Sequence, residues 1–361
     1  MQAPEAISIQ DVARHAGVSA STVSNVLNNR HERMRPETLS RVRDAIETLG
    51  YQPSFAARQL KTGHARILGL ILPSVANPFW GVLAREIERA ALSYGYKVML
   101  CNAERNPLHE RNYAETMLAH GVRGVILGSS PLSFEHFSRL GRRGLRIAAF
   151  DRQARTDGSE ELIANSVTVD NAHGARLVAR HLAELGHRRI GFITGPLRTA
   201  SRLERQRGFR EGLVEAGVPL DPALAWEGAM ISSFGDSEGT ELGRAGAREL
   251  LARPDPPTAI FAINDMYALG ACAGARDLGL RVPQDVSIAG FDDIPFAEVA
   301  EPPLTTVRQP LPAMAQSLVT MLVGRLEGTY AEAAAHVTAA PQLVIRTSTS
   351  VPRPRRAAAR K

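Results

Sequence analysis

An α/β fold is predicted, with a compact three-helix unit at the N-terminus and two doubly wound lobes behind it. Three observations carry this. Short apolar runs recur from Ile67 onward with amphipathic segments between them, the rhythm of right-handed βαβ units in parallel sheets. The first 50 residues instead repeat apolar positions with a period near 3.6 and break at glycines. A polar gap at 152–164 divides the strand-bearing region into two groups of runs, which favours two lobes over an eightfold barrel, since a barrel gives no reason for the gap.

The elements follow in order. Ser8 and Asp11 form a capping-box pattern, Ile9, Val12, Ala13 and Ala16 make a helical stripe, and Gly17 ends it with the left-handed conformation that a C-cap needs. Ser19 caps a second short helix carrying Thr22, Val23, Val26 and Leu27. Pro36 stands at a first helical position ahead of Leu39, Val42, Ile46 and Leu49, and Gly50 closes that helix. Residues 55–61 have length for two helical turns, too few to be stable alone because nucleation is costly. Strands are predicted at 67–72, 96–101, 122–127, 145–150, 166–169, 189–194, 258–263 and 286–291. The organisation expected is a headpiece at 1–52, a linker at 53–66, a body at 67–346 and a basic flexible tail at 347–361. Within the body the first lobe is placed at about 67–162 and 294–325, the second at about 163–293 and 326–346.

Composition narrows the class. The chain of 361 residues is 44% hydrophobic and 22% charged, ordinary for a globular protein and unlike disordered or membrane chains. No apolar run approaches the roughly 18 residues of a membrane span, and residues 1–8 lack the basic and apolar regions of a secretory signal, so a cytoplasmic protein is expected. Cys101 and Cys272 have neither disulfide-framework nor zinc-site spacing. Charge is uneven: residues 1–66 carry +3, 67–350 carry −2 and 351–361 carry +5, so a polyanion partner is expected at a terminus.

Helix, glycine-centred turn and helix is the geometry that presents a second helix to the DNA major groove. Outward positions Ala20, Ser21, Thr22, Ser24, Asn25 and Asn28 are small or polar, while Val18, Val23 and Leu27 turn inward. Asn25 has the groups to pair bidentately with adenine, and hydroxyls bond either phosphate or base. Short three-helix units with glycine turns also occur in proteins that bind no DNA, so the pattern alone leaves both readings open.

The run from Asp11 to Asn28 (DVARHAGVSASTVSNVLN) resembles the headpiece of the LacI/GalR family of bacterial transcription regulators, and Pro36-Glu37-Thr38, Tyr51-Gln52-Pro53-Ser54 and Ala57-Arg58-Gln59-Leu60-Lys61 continue the likeness in register. The resemblance implies DNA contacts from Ser19, Ala20, Ser21, Thr22, Ser24, Asn25, Asn28, Thr38, Ser54 and Ala57. It also implies a hinge helix in which Leu60 wedges into the minor groove; ordinary packing is the competing role for that leucine. Asn25 stands where the family often has arginine, which removes a possible bidentate guanine contact; Ala20 and Ser21 are small, so base discrimination at those two positions is expected to be weak or water-mediated. The arginines of the 29–35 loop are read as phosphate contacts or as a solvated loop.

Two α/β lobes leave a cleft at the carboxyl ends of their strands, where ligands of open α/β sheets bind. Asn77 and Phe79, Asp151 and Arg152, Asn264 and Asp292 follow strands there, and carboxylates, guanidinium and an aromatic face suit a polyhydroxylated ligand such as a sugar. Any one of them alone is as well explained as a helix cap or a surface turn. The resemblance is nearly full length: the body is similar to periplasmic sugar-binding proteins, and it adds Arg205 and Phe234, with Arg205 and Asp292 the pair expected to hold the effector. Arg105 is a weaker candidate, and Asp170-Asn171 reads as a helix cap at the lobe junction. His120, His181 and His187 read as solvated surface residues. No Walker, G-x-S-x-G or H-E-x-x-H motif is present, and no catalysis, cofactor or metal is expected.

The partners expected are therefore operator DNA, a sugar-like effector and a second copy of the chain, with no membrane. The tail has no apolar heptad for a tetramerising coiled coil, so a homodimer is expected. A sugar-binding protein without a regulatory role and an α/β enzyme acting on a sugar or nucleoside are the alternatives.

Overall fold

The computed structural model describes residues 7–27, 30–32, 34–51, 65–152, 163–229, 239–329 and 335–353. The chain forms two compact units, Met1–Ala65 and Arg66–Lys361.

The first unit holds α1 (Ile9–Ala16), α2 (Ala20–Leu27) and α3 (Pro36–Thr48). Ser8 caps α1 as the sequence predicts: its Oγ accepts from the Asp11 amide at 3.3 Å while the Asp11 carboxylate accepts from the Ser8 amide at 2.9 Å. Gly17 follows with φ +62° and nothing near its missing Cβ, so glycine is there for conformation and not for space. Val12, Ala13, Ala16, Val23, Val26, Val42, Ala45 and Tyr51 form a small core drawn from all three helices. Val18 and Leu27 pack against it, half-buried.

The second unit contains two parallel sheets. The first has six strands in the order β11-β5-β4-β3-β1-β2: β1 (Ile67–Leu72), β2 (Lys97–Asn102), β3 (Gly124–Leu127), β4 (Arg146–Phe150), β5 (Ile163–Val169) and β11 (Ala335–Ala339). The second has four in the order β7-β6-β8-β9: β6 (Ile190–Thr194), β7 (Ala225–Glu227), β8 (Ala259–Ala262) and β9 (Ser287–Ala289). A two-stranded antiparallel pair, β10 (Thr306–Arg308) with β12 (Gln342–Val344), lies beside β9 through bridges at Ala289–Thr305 and Asp292–Arg308. Helices α4 (Pro78–Ser93), α5 (Pro107–Ala119), α6 (Ser138–Arg142) and α12 (Leu311–Leu326) serve the first lobe. Helices α7 (Asn171–Glu184), α8 (Ala200–Glu215), α9 (Gly239–Leu251), α10 (Asp265–Asp277) and the short α11 (Pro295–Val299) serve the second.

All eight predicted strands form, within two or three residues of the expected ends. The lobe boundary moves. β5 and β11, expected in the second lobe, pair with β4 and with each other in the first sheet, so the polar stretch at 152–164 lies between two strands of one sheet. The reason is edge closure: β11 returns from late in the chain and satisfies the free side of β5. The lobes separate only after Asp170, whose Oδ1 caps α7 by accepting from the His173 amide at 2.8 Å.

The C-terminal segment is a second correction. Residues 346–353, most of them assigned by the sequence to a flexible tail, are seated on the second lobe: the Ile288 amide donates to Ser348 O at 2.9 Å and Arg353 pairs with Asp285 at 2.7 Å. They cover His181 and His187, which are buried and not solvated. His187 contacts Thr258 Oγ1 at 2.8 Å and Ser350 O at 2.9 Å, and His181 contacts Thr349 Oγ1 at 2.9 Å. Burial holds both imidazoles below the ordinary histidine value. His120 is exposed, as expected.

Candidate functional site

In the first unit, α2 presents a hydroxyl-rich N-terminus. Ser19 Oγ accepts from the Thr22 amide at 3.2 Å and lies 2.7 Å from Ser21 Oγ and 2.9 Å from Thr22 Oγ1. Hydroxyls gathered at the positive end of a helix are suited to phosphate oxygens. Ser19, Ser21 and Asn25 are exposed; Ala20, Thr22, Ser24 and Thr38 are half-buried, and Ala20 packs on the small core. Asn28, Ser54, Ala57 and Leu60 lie outside the described residues, as does Phe234.

In the second unit, Asn77, Phe79, Asp151, Arg205, Asn264 and Asp292 line a single cavity of about 30 Å³ between the lobes. All but Arg205, which projects from the second turn of α8, sit near a strand or helix end. Asn77 caps α4, its Oδ1 accepting from the Phe79 amide at 3.1 Å, and Asn264 caps α10, accepting from the Tyr267 amide at 3.1 Å. The cap role and the cavity-lining position therefore coexist at both asparagines. Phe79 packs edge-on against Trp80 at 4.9 Å, and both rings border the cavity.

Arg205 is the centre of the arrangement. Its Nη2 lies 3.1 Å from Asp292 Oδ1, its Nε donates to Asn171 Oδ1 at 2.8 Å, its Nη1 donates to Ile263 O at 3.0 Å, and its guanidinium stands 3.7 Å from the Phe291 ring centroid. Gly208 makes this reach possible, because a Cβ there would overlap the main-chain carbonyl of Ala172, and its absence lets α8 lie close on α7. Asn171 extends the chain of bonds, its Nδ2 donating to Asp151 Oδ1 at 2.7 Å. A continuous network, Asp151–Asn171–Arg205–Asp292, thus joins the end of β4 in the first lobe to the end of β9 in the second.

Burial raises the Asp151 carboxyl above its ordinary range, opposed by the Arg205 charge and the Asn171 bond. Asp265, fully buried behind Asp292, is raised well above that range by burial and then by the Asp292 charge; it accepts from the Ile294 amide at 2.9 Å and so pins the segment that carries Asp292. Backbone strain gathers at the same place. Asp151 (φ +59°), Asp292 (φ +119°) and Asp293 (φ +51°) occupy the left-handed half of conformational space without being glycine, the first directly after β4 and the other two three and four residues after β9.

The structure does not bring Arg152 to this cavity. Its Nη2 donates to Leu132 O at 3.1 Å and its guanidinium lies 4.3 Å from the Phe134 ring centroid, so it ties down the loop after β3. Residues that sequence reasoning missed are Asn171, read only as part of a cap, and Trp80, Ser201 and Arg202, which also line the cavity. Trp80 and Ser201 sit two and one residues into their helices, a weak signal that nothing else in the sequence reinforced. Among the described residues no group of His, Cys, Asp or Glu is placed to hold a metal, and no helix is long and apolar enough to cross a membrane.

A helix-turn-helix unit on the same chain as two parallel α/β lobes with a polar cleft between them defines a ligand-responsive DNA-binding regulator. Comparison with known proteins agrees. Residues 8–54 match the bacterial regulatory proteins of the lacI family, and residues 179–349 match a periplasmic binding protein-like domain. The transcriptional regulator DegA of Bacillus subtilis is 34% identical over 345 residues, 95% of this chain and 98% of that one. Among solved structures, the Lac repressor dimer bound to operator and the anti-inducer ONPF has a TM-score of 0.81 at 27% identity, covering 96% of this chain and 100% of that one. A complex of the transcriptional regulator CelR with cellobiose has a TM-score of 0.69 at 30% identity, covering 95% and 99%. The chain belongs to the LacI family of bacterial regulatory proteins, and it is a DNA-binding transcriptional regulator, not an enzyme.

Proposed function

We propose that the chain is a cytoplasmic homodimeric repressor that binds a palindromic operator and whose operator affinity is set by a sugar-like effector held at Arg205 and Asp292. The observation that carries this is the convergence of six separately positioned groups on one inter-lobe cavity, on a chain whose other unit is a helix-turn-helix. The Lac repressor neighbour is a dimer on operator DNA, and CelR binds cellobiose; both support the reading. Asn25 reads an adenine edge, the hydroxyls of Ser19, Ser21, Thr22 and Ser24 and the Thr38 side chain contact phosphate or base, and Ala20 lies against the groove. Asn28, Ser54 and Ala57 add flanking contacts and Leu60 is the minor-groove wedge, by likeness to the family.

The mechanism follows from differential affinity. A ligand that binds one arrangement of the lobes better than another shifts the population toward it, and that shift reaches the DNA-binding unit through the linker. An effector here first has to compete with bonds the protein makes to itself, since Arg205 and Asp292 are already paired. DNase I footprinting on the DNA upstream of the gene tests the reading. A protected inverted repeat whose protection changes with ligand supports it, and no protection under any ligand condition contradicts it.

A further inference from the structure

The cavity around Arg205 is too small for a sugar as it stands: about 30 Å³ is room for one or two waters. Beside it lies a second cavity of about 780 Å³, within the roughly 300–1,000 Å³ range of small-molecule sites. Arg105 and Arg202 line both cavities. We propose that the effector is a neutral glycoside of at least two rings, with its polyol end at Arg205 and Asp292 and its second ring or aglycone in the larger cavity. The proposal rests on the reading that Arg205 and Asp292 hold the effector.

Size, surface and charge all point this way. The larger cavity takes walls from both lobes, the loops after β2 and β3 on one side and the segment leading into α8 on the other, so an occupant touches both. Pro107, Pro131, Leu132 and Pro196 supply apolar surface for the C–H faces of a pyranose or for an aglycone, and Leu132 is 53% exposed. Arg105, Arg198 and Arg202 are matched by Glu104, Glu110 and Glu135, and Glu110 is already held by His136 Nε2 at 2.8 Å. The Arg105 and Arg202 guanidinium groups donate to Ser129 O and Pro196 O at 2.6 and 3.0 Å. A balanced wall of this kind favours a neutral ligand over a compact anion such as a sugar phosphate. Strain marks the mouth as it marks the inner site: Glu104, Arg105 and Ser130 have φ of +56°, +55° and +50°.

The test is calorimetric titration of the full-length protein with glucose, galactose, ribose, glucose 6-phosphate, and the neutral disaccharides cellobiose, maltose and lactose. One neutral disaccharide is expected to bind at least about tenfold more tightly than its constituent monosaccharides and than the phosphate. Leu132→Trp, which fills the larger cavity from an exposed position, is expected to weaken that disaccharide at least about tenfold with an unchanged urea midpoint. Ser133→Trp serves as a second blocking variant. The proposal is overturned by a monosaccharide or the phosphate binding as tightly as the best disaccharide, by no disaccharide binding, or by blocking variants that leave disaccharide binding intact. Arg205→Met separates the two readings. If it abolishes disaccharide binding that Leu132→Trp leaves alone, the inner site stands and the extension falls; if it leaves disaccharide binding intact, the inner site falls and the proposal with it.

Discussion

Replacing Arg205 by methionine keeps most of the side-chain stem and removes the guanidinium from a position where the residue is 6% exposed. Three bonds go, to Asn171, Ile263 and Asp292, together with the contact over the Phe291 ring. Asp292, 7% exposed, keeps the Gln309 Nε2 bond at 2.8 Å but loses its cation. Removing one member of a buried pair costs about 3–5 kcal/mol, mostly the penalty of the charge left behind. Summing individual bonds at about 1.5–3 kcal/mol each would exceed this, but bonds in one network are not additive, so the pair figure governs. Adding Asp292→Asn removes the stranded charge and is expected to recover about 1–3 kcal/mol. Urea unfolding of the full chain followed by tryptophan fluorescence is the assay, because Trp80 and Trp226 both lie in the second unit. A cost below about 1 kcal/mol for Arg205→Met, or no recovery in the double variant, refutes the reasoning.

Further outcomes follow from the same structure. Gly208→Val forces α8 away from α7 and is expected to lower the melting temperature and weaken ligand binding together; ligand affinity unchanged in a destabilised protein would break the link drawn from Gly208 to Arg205. Because burial holds His181 and His187 below the ordinary value, the unfolded chain takes up protons that the native chain refuses, so stability is full above about pH 6.5 and declines below it. The raised carboxyls of Asp151 and Asp265 act with the opposite sign, so the effect is read as the difference between wild type and His187→Gln in urea midpoints at pH 7.5 and 5.5; equal slopes contradict it. Asn25→Ala is expected to cost about 1–3 kcal/mol in operator affinity and to relax specificity at one base pair, measured by fluorescence polarisation on operators substituted base by base; an equal loss on every sequence would mark Asn25 as a phosphate contact instead. Leu60→Ser is expected to weaken specific binding far more than non-specific binding, and equal losses in competition gel shifts refute the wedge.

The sequence revealed what is local. Capping boxes, helix-ending glycines and four-to-six-residue apolar strands are written within a few residues, and Ser8, Gly17 and the eight predicted strands follow from them. Placing polar residues after strand ends was enough to gather Asn77, Phe79, Asp151, Asn264 and Asp292 in one cavity, with Arg205 added by family likeness. What stayed hidden depends on partners far along the chain. β7, β10 and β12 have three residues each and no period to detect, and β11 is half-exposed and pairs with β5 about 170 residues earlier. His187 looked like a surface residue because the segment that buries it, around Ser350, arrives 163 residues later. Asn171 was legible as part of a cap, but its link between Asp151 and Arg205 exists only once α7, α8 and β4 have packed.

The central claim is that one chain couples a ligand between its lobes to an operator through the Arg205–Asp292 network. It is tested most directly by the affinity of the full-length protein for its own upstream operator, by fluorescence polarisation, with and without the sugar or glycoside that calorimetry finds to bind. The account predicts at least about a tenfold change in operator affinity on adding ligand in the wild type and no change in Asp292→Asn. Operator affinity indifferent to a bound ligand, or a full response retained in Asp292→Asn, would contradict it.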